Sequence, residues 1–315
     1  MINLILNENM KIYRRWRTWI LIGLMIGLVF TVSIVEWYFD DKQAGENAWR
    51  EQVMAQKLQQ EESLKMPELQ QGQSRQLVEQ RIAINEYHLE HNIRPTNGTM
   101  WDSINNLAEL VIMVTLLTII IAGDSLAGEY SAGTIKMLLI RPVSRTKILV
   151  SKYLSLVVFN ILLLIILFIT SVLLNGILYQ FAHLNLPLVG IGDYGQVVEK
   201  SMVANLWKTY LLNSISTIIF MTMAFMISTV FRSSAMAIGI SLFAVFTGSM
   251  LAELVRNYAW GKYILFAHLD LTQHLNGRPY QEDMTLSFSI TLLVVYYLLF
   301  QLVAWLVFTR RDVAA

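Results

Sequence analysis

The stretch Gly128–Lys147, GEYSAGTIKMLLIRPVSRTK, separates two strongly apolar runs, and what it is decides what they are. It carries Lys136, Arg141, Arg145 and Lys147 against the lone acid Glu129. Acids and histidines are too few for an active site, and the ordered small residues, glycines and proline are unlike a plain linker. On either side lie residues 103–123 and 153–181, each long enough for the roughly 20 helical residues that cross a bilayer. The stretch therefore reads as a loop between two membrane spans.

The rest of the chain agrees. Of its 315 residues 55% are hydrophobic and only 15% charged, where soluble domains sit near a quarter charged. Four further apolar runs, 18–39, 206–230, 235–252 and 286–308, bring the spans to six. The fold class expected is an all-α integral membrane protein with six transmembrane helices. The fifth run is short and rich in Ala, Gly and Ser, which suits close helix packing in lipid. A net charge of +1 offers no broad phosphate-neutralising surface, so a nucleic-acid partner is excluded. There is no cysteine, which removes disulfides, thiolate metal ligands and cysteine nucleophiles together.

Basic residues beside the spans set the orientation. Lys11, Arg14, Arg15 and Arg17 precede the first; Lys136, Arg141, Arg145, Lys147 and Lys152 lie between the second and third. Arg232 follows the fourth, and Arg310 and Arg311 follow the last. With six spans all fall on one side, which places both termini in the cytoplasm of a multi-pass plasma-membrane protein. Residues 40–102 then lie outside, with seven basic and eleven acidic residues. Two helices joined by a turn at Pro67 and Gly72 are expected there. His88 and His91 sit three apart on the second, without the HExxH arrangement or a third ligand cluster, so a solvated helix end is the reading and no metal site is assigned. The outer loop after the fifth span, closed by Asn276-Gly277, is expected to hold a helix in the membrane interface, with a short re-entrant turn as the alternative.

Inside, residues 124–152 form a cytoplasmic loop. Ile135, Leu138 and Leu139 fall on one helical face while Lys136 points away, which makes a short amphipathic helix that Pro142 stops. Ser144 caps the helix leading into the third span, and Arg145, Lys147 and Lys152 meet the headgroups. This stretch resembles the signature cytoplasmic loop of ABC-2 type permeases, the membrane subunits of bacterial ABC exporters. The matching positions are Glu129, Gly133, Thr134, Leu138, Pro142, Ser144, Arg145 and Lys152. WREQ, INEYHLEHNI and HLDLTQHLNG also resemble outer segments of one branch of these permeases. The resemblance implies that the loop, Lys136 included, contacts and couples to a separate ABC ATP-binding subunit. It also implies that a second permease chain, identical or similar, completes the path.

The chain itself is expected to be no enzyme and to hold no cofactor. The nearest approach to a phosphate-cradling GxxxxGK[ST] is Gly123 to Gly128, where Glu129 and Tyr130 replace the Lys and Ser/Thr and no strand precedes. ATP and Mg would bind the partner. Two alternatives stand beside this. An ion-coupled transporter needs a charged group at mid-membrane, for which Glu109 is the candidate polar site. A non-transporting scaffold or sensor coupled to an ATPase is compatible with the same outer helices.

Overall fold

The computed structural model describes residues 1–40, 48–66, 73–140, 142–192, 195–275, 279–281 and 284–310. The expected turn at Pro67 and Gly72, the Asn276-Gly277 pair, Arg141 and Arg311 lie outside the described residues, as do the side chains of Leu138 and Leu139. The helices are α1 (Ile2–Arg14), α2 (Trp16–Phe39), α3 (Ala48–Ser63), α4 (Gln73–Glu90), α5 (Met100–Leu107), α6 (Val111–Ser131), α7 (Ile135–Leu139), α8 (Arg145–Leu178), α9 (Met202–Val230), α10 (Ser234–Val255) and α11 (Leu286–Arg310). One antiparallel pair, β1 (Leu188–Ile191) and β2 (Val197–Lys200), accompanies them, in register from Leu188 opposite Lys200 to Ile191 opposite Val197.

Among the described residues, six helical stretches are long and apolar enough to cross a membrane: Trp16–Phe39, Met100–Ser131, Arg145–Leu178, Met202–Val230, Ser234–Val255 and Leu286–Arg310. Phe243, Met250 and Leu298 are each more than half exposed on α10 and α11. Such faces would aggregate in water, whereas in a bilayer they meet acyl chains. The chain is an all-α, multi-pass membrane protein.

It divides into two compact units, one of residues 1–29, 108–170 and 209–315, the other of residues 30–107 and 171–208. In the first, α6 packs along α10. Gly123 permits the approach, because a Cβ there would lie 2.8 Å from Ile238 Cγ1 and 3.2 Å from the Ile238 backbone nitrogen. Hydroxyls join α6 and α8 to α9. Ser228 donates to the Gly123 carbonyl at 2.7 Å and accepts from the Ala127 N–H at 2.9 Å, Thr115 meets Thr217 at 3.0 Å, and Tyr153 meets Thr222 at 2.9 Å. Lipid offers no competing hydrogen bonds, so these pairs fix which helix faces meet.

In the second unit α3 and α4 pack as a helical hairpin. Asn85 donates to Gln60 at 3.0 Å and Lys57 pairs with Glu86 at 2.8 Å. Val53 is buried while Leu58 is exposed, so one apolar seam closes the pair and the other side is open. An apolar cluster of Met100, Trp101, Ile104, Met202 and Leu206 takes in Tyr179 at its edge. The Tyr179 hydroxyl donates to Asp40 and lies 3.1 Å from Ser103 Oγ. The third apolar run continues to Phe181, yet α8 ends at Leu178. Gln180 and Phe181 turn left-handed, with φ of 55° and 52°. The Phe181 ring covers Gly176, whose missing Cβ leaves the space.

Between α10 and α11 the expected interfacial helix is instead a series of 3-10 turns, Ala259–Tyr263, Leu265–His268 and Leu271–His274. Two contacts break a continuous helix. The Asp270 carboxylate caps Thr272 N–H at 3.0 Å, and Gly248 of α10 makes room for the Phe266 ring.

Candidate functional site

The sequence expected an inner shelf around Glu129, and the shelf has a definite construction. α6 ends because Gly133 adopts φ 69°, a left-handed conformation that costs a residue with a Cβ about 1–2 kcal/mol. Its N–H bonds the Tyr130 carbonyl at 3.1 Å, and the N–H of Ala132 bonds that of Gly128 at 2.9 Å. Thr134 turns its hydroxyl onto the Glu129 carboxylate, tying the turn to the helix it leaves. The five-residue α7 follows, with Ile135 buried and Lys136 exposed. Pro142 is exposed past its end. Ser144 accepts from the Lys147 N–H at 3.4 Å and so caps α8. Arg145 donates to the Thr309 carbonyl at 3.0 Å, which holds the start of α8 to the end of α11. Its guanidinium is half-buried in that role.

Of the expected apolar face, Ile135 is buried, while the side chains of Leu138 and Leu139 lie outside the described residues. Ile135 turns back into its own chain. Among the described residues, Met137 and Ile140 are the exposed apolar groups here, at 75% and 82% of their full exposure.

Beneath the shelf four charged side chains close a ring. Lys152 of α8, only 4% exposed, donates to Glu8 at 2.8 Å, to Glu129 at 3.2 Å and to the Ser125 carbonyl at 3.1 Å. Lys11 pairs with the same two carboxylates, at 2.7 Å with Glu8 and 3.1 Å with Glu129. All three ammonium protons of Lys152 are thereby used, and the ring carries no net charge. Burial pushes the Glu8 carboxyl up, but the Lys152 charge and hydrogen bonds from Lys11 and Lys152 outweigh it and hold it below its ordinary value. For Lys11 burial works downward, and hydrogen bonding and charge from Glu8 and Glu129 carry it above its ordinary value instead. The ring encloses a cleft of about 40 Å³. A water needs about 10–15 Å³ measured this way, so the cleft admits a few waters and no solute. It is a joint between helices and not a binding pocket.

Glu8 and Ser125 were not legible as partners of Lys152. Glu8 lies on α1, which packs on α8 through the Ser155 hydroxyl to the Ile5 carbonyl at 3.2 Å, and exposes Ile2, Leu6 and Met10 on its other side. The signals available were the Glu8–Lys11 pair at i,i+3 and that apolar i,i+4 stripe. Next to the ring, Arg15 and Arg17 both pair with Asp124. Both guanidiniums are more than two-fifths exposed, so these pairs position the start of α2 more than they stabilise it.

Glu109 is exposed on the 3-10 turn Ala108–Leu110 that precedes α6. The 1.5 Å rise per residue puts it about 30 Å along the helix from the ring. It joins none of the other expected site residues. His88 donates to the Ile93 carbonyl at 2.8 Å, while the His91 ring stacks on Tyr87 with centroids 3.9 Å apart. The two rings are engaged separately. Among the described residues no three His, Cys, Asp or Glu side chains converge as metal ligands.

Fold and shelf together define a multi-pass helical membrane protein with a charge-locked loop between two of its spans. The chain belongs to the family described as protein of unknown function DUF2705, which it matches over residues 75–314. It is 39% identical over 326 aligned positions to "Uncharacterized protein YhcI" of Bacillus subtilis (strain 168), with the whole of both chains covered. It is also 31% identical over 210 positions to "Uncharacterized membrane protein YdbK" of the same organism, covering 65% of this chain and 79% of the relative.

Proposed function

We propose that the chain is the permease subunit of an ATP-driven exporter of the ABC-2 type, with the shelf from Glu129 to Arg145 as the docking element for a separate ATP-binding subunit. The observation that carries this reading is the exposed pair Met137 and Ile140 on a shelf that the Glu129 ring fixes to α1, α6 and α8. Apolar groups this exposed on a charged inner loop gain from a partner surface. The ring beneath them turns a push on the shelf into movement of whole helices, since a neutral, hydrogen-bonded ring resists local yielding better than loose chain. The resemblance of residues 128–152 to the permease signature loop supports the same assignment. In this reading both termini and the shelf are cytoplasmic, the α3–α4 hairpin is outside, and the membrane is the bacterial plasma membrane. ATP and Mg belong to the partner, and a second permease chain completes the path.

The test is purification of the tagged chain in mild detergent from the cells that make it, with mass spectrometry of what accompanies it. A soluble ATPase carrying a Walker motif is expected in stoichiometric amount. It should be lost from Met137→Glu and Ile140→Glu variants that still elute as folded, monodisperse membrane protein. These positions are preferable to Arg145, which also holds α11. No accompanying ATPase, or one retained by both variants, would overturn the assignment.

A further inference from the structure

Away from the shelf, two histidines converge on one serine. The His268 ring is fully buried, and its Nδ1 lies 2.9 Å from Ser289 Oγ near the start of α11. His274 Nε2 approaches the same oxygen at 3.0 Å. The other nitrogen of His268, Nε2, lies 2.6 Å from the Lys262 carbonyl.

Hydrogen-bond chemistry fixes where the protons are. A carbonyl only accepts, so His268 Nε2 must carry a hydrogen, and in the neutral ring Nδ1 is then a lone pair. Ser289 therefore gives its single hydrogen to His268 Nδ1. What remains on the Ser289 oxygen are lone pairs, so His274 donates to it from Nε2. The result is a one-way chain, His274 to Ser289 to His268 to the Lys262 carbonyl, complete when both imidazoles are neutral. It binds each of the turns Ala259–Tyr263, Leu265–His268 and Leu271–His274 to the others and to α11.

We propose that this Ser289-bridged histidine pair is an acid-sensitive latch, which holds residues 259–275 against α11 when both rings are neutral and releases them when the rings take up protons. A second proton on His268 would sit on Nδ1, facing Ser289, in a pocket walled by the Phe288 ring at 5.6 Å between centroids. Among the described residues, the charged and titratable groups near the pair come from the turns, α10 and α11. Lys262 and Tyr263 come from the preceding turn, with the Lys262 ammonium over the Tyr263 ring. Tyr296 of α11 donates to the Tyr263 carbonyl, and Glu253 of α10 pairs with Arg256. Asp270 is the carboxylate that favours a charged His274, while protonated His274 opposes a charge on His268. Burial holds both histidines below the ordinary histidine value, against the Lys262 carbonyl for His268 and against Asp270 for His274. Opening gives both rings water, and there they bind protons more readily. Acid therefore favours the open state. In the orientation proposed above the latch faces the outside medium; the hydrogen-bond chain itself does not depend on that reading.

Amide hydrogen exchange of the full-length protein in lipid nanodiscs tests the latch. Protection of residues 259–275, corrected for intrinsic chemistry, should fall at least about tenfold from about pH 7.5 to about pH 5.0, since a single ring that titrates at about 6.5 when open and stays neutral when closed gives about thirtyfold. In the His268→Gln/His274→Gln double variant it should not depend on pH. Wild-type protection that holds through this range would overturn the proposal, as would a parallel loss in the double variant. Should that variant not fold, exchange of the histidine C2 hydrogens in the wild-type protein decides. Both rings titrating below the ordinary histidine value supports the latch, and ordinary titration of both overturns it.

Discussion

Lys152→Met tests whether the charge ring is the joint that fixes the shelf. The substitution keeps the side chain's reach as far as Cε and removes an ammonium that is almost wholly buried, at 4% exposure, between Glu8 and Glu129 at 12% and 15%. Removing one member of a buried ion pair costs about 3–5 kcal/mol, because the partner charge is left uncompensated. Lys11, 36% exposed, still touches both carboxylates and offsets part of this, so the lower end, about 3 kcal/mol, is expected. At about 2–4 °C per kcal/mol for a chain of this size, the melting temperature in detergent should fall by roughly 10 °C. The pH dependence sharpens the test. In the wild type Glu8 titrates below its ordinary value of 4.5, so its contribution is present above that value and lost as acid protonates it in the folded state. Without Lys152 the two carboxylates repel, their affinity for protons rises, and acid relieves the variant. The gap between the two proteins should therefore narrow as pH falls from about 7 to about 4. Melting within about 1 °C of wild type at neutral pH, or a gap that widens in acid, would refute the ring as a stabilising joint.

Two further predictions concern backbone geometry. Gly133→Val should cost about 1–2 kcal/mol through the left-handed conformation it would have to adopt. Its diagnostic is faster proteolysis between Tyr130 and Lys147 at unchanged membrane insertion, and cleavage at the wild-type rate would show that the turn does not need glycine. Gly123→Ala should cost about 1–3 kcal/mol by forcing α6 from α10, read as a lower melting temperature. Ile238→Ala on that background should restore only part of the loss, since the Ile238 backbone stays within 3.3 Å of the added Cβ.

The membrane class was written in the sequence because lipid demands long uninterrupted apolar helices, and runs such as 153–181 have no other use. Local chemistry was equally plain where it acts over a few residues. Ser144 takes its expected place as the cap before α8. Glu129 and Lys152 stood out as charges beside spans, but nothing local joined them. They meet because the long Lys152 side chain of α8 reaches Glu129 and Ser125 of α6, and α1 brings Glu8 and Lys11 to the same point. Glu129 and Lys152 are 23 positions apart and Glu8 and Lys11 more than a hundred from either, so no helical period records the meeting. The β1–β2 pair was passed over for a different reason. LVGI and VVEK are four residues each, too short for alternation to show, and their pairing rests on a glycine turn and on packing against α4.

The same division holds for α7 and the turns between α10 and α11. Composition made α7 amphipathic, and the packing decided that Ile135 turns inward while Met137 and Ile140 stand in the open. His268, His274 and Ser289 are unremarkable letters in the sequence, and a proton order exists among them because three successive turns fold back onto α11. Hydropathy and capping act within a turn or two of helix, so the sequence carries them by itself. Ion rings and hydrogen-bond chains join groups distant along the chain, and the tertiary structure alone decides them.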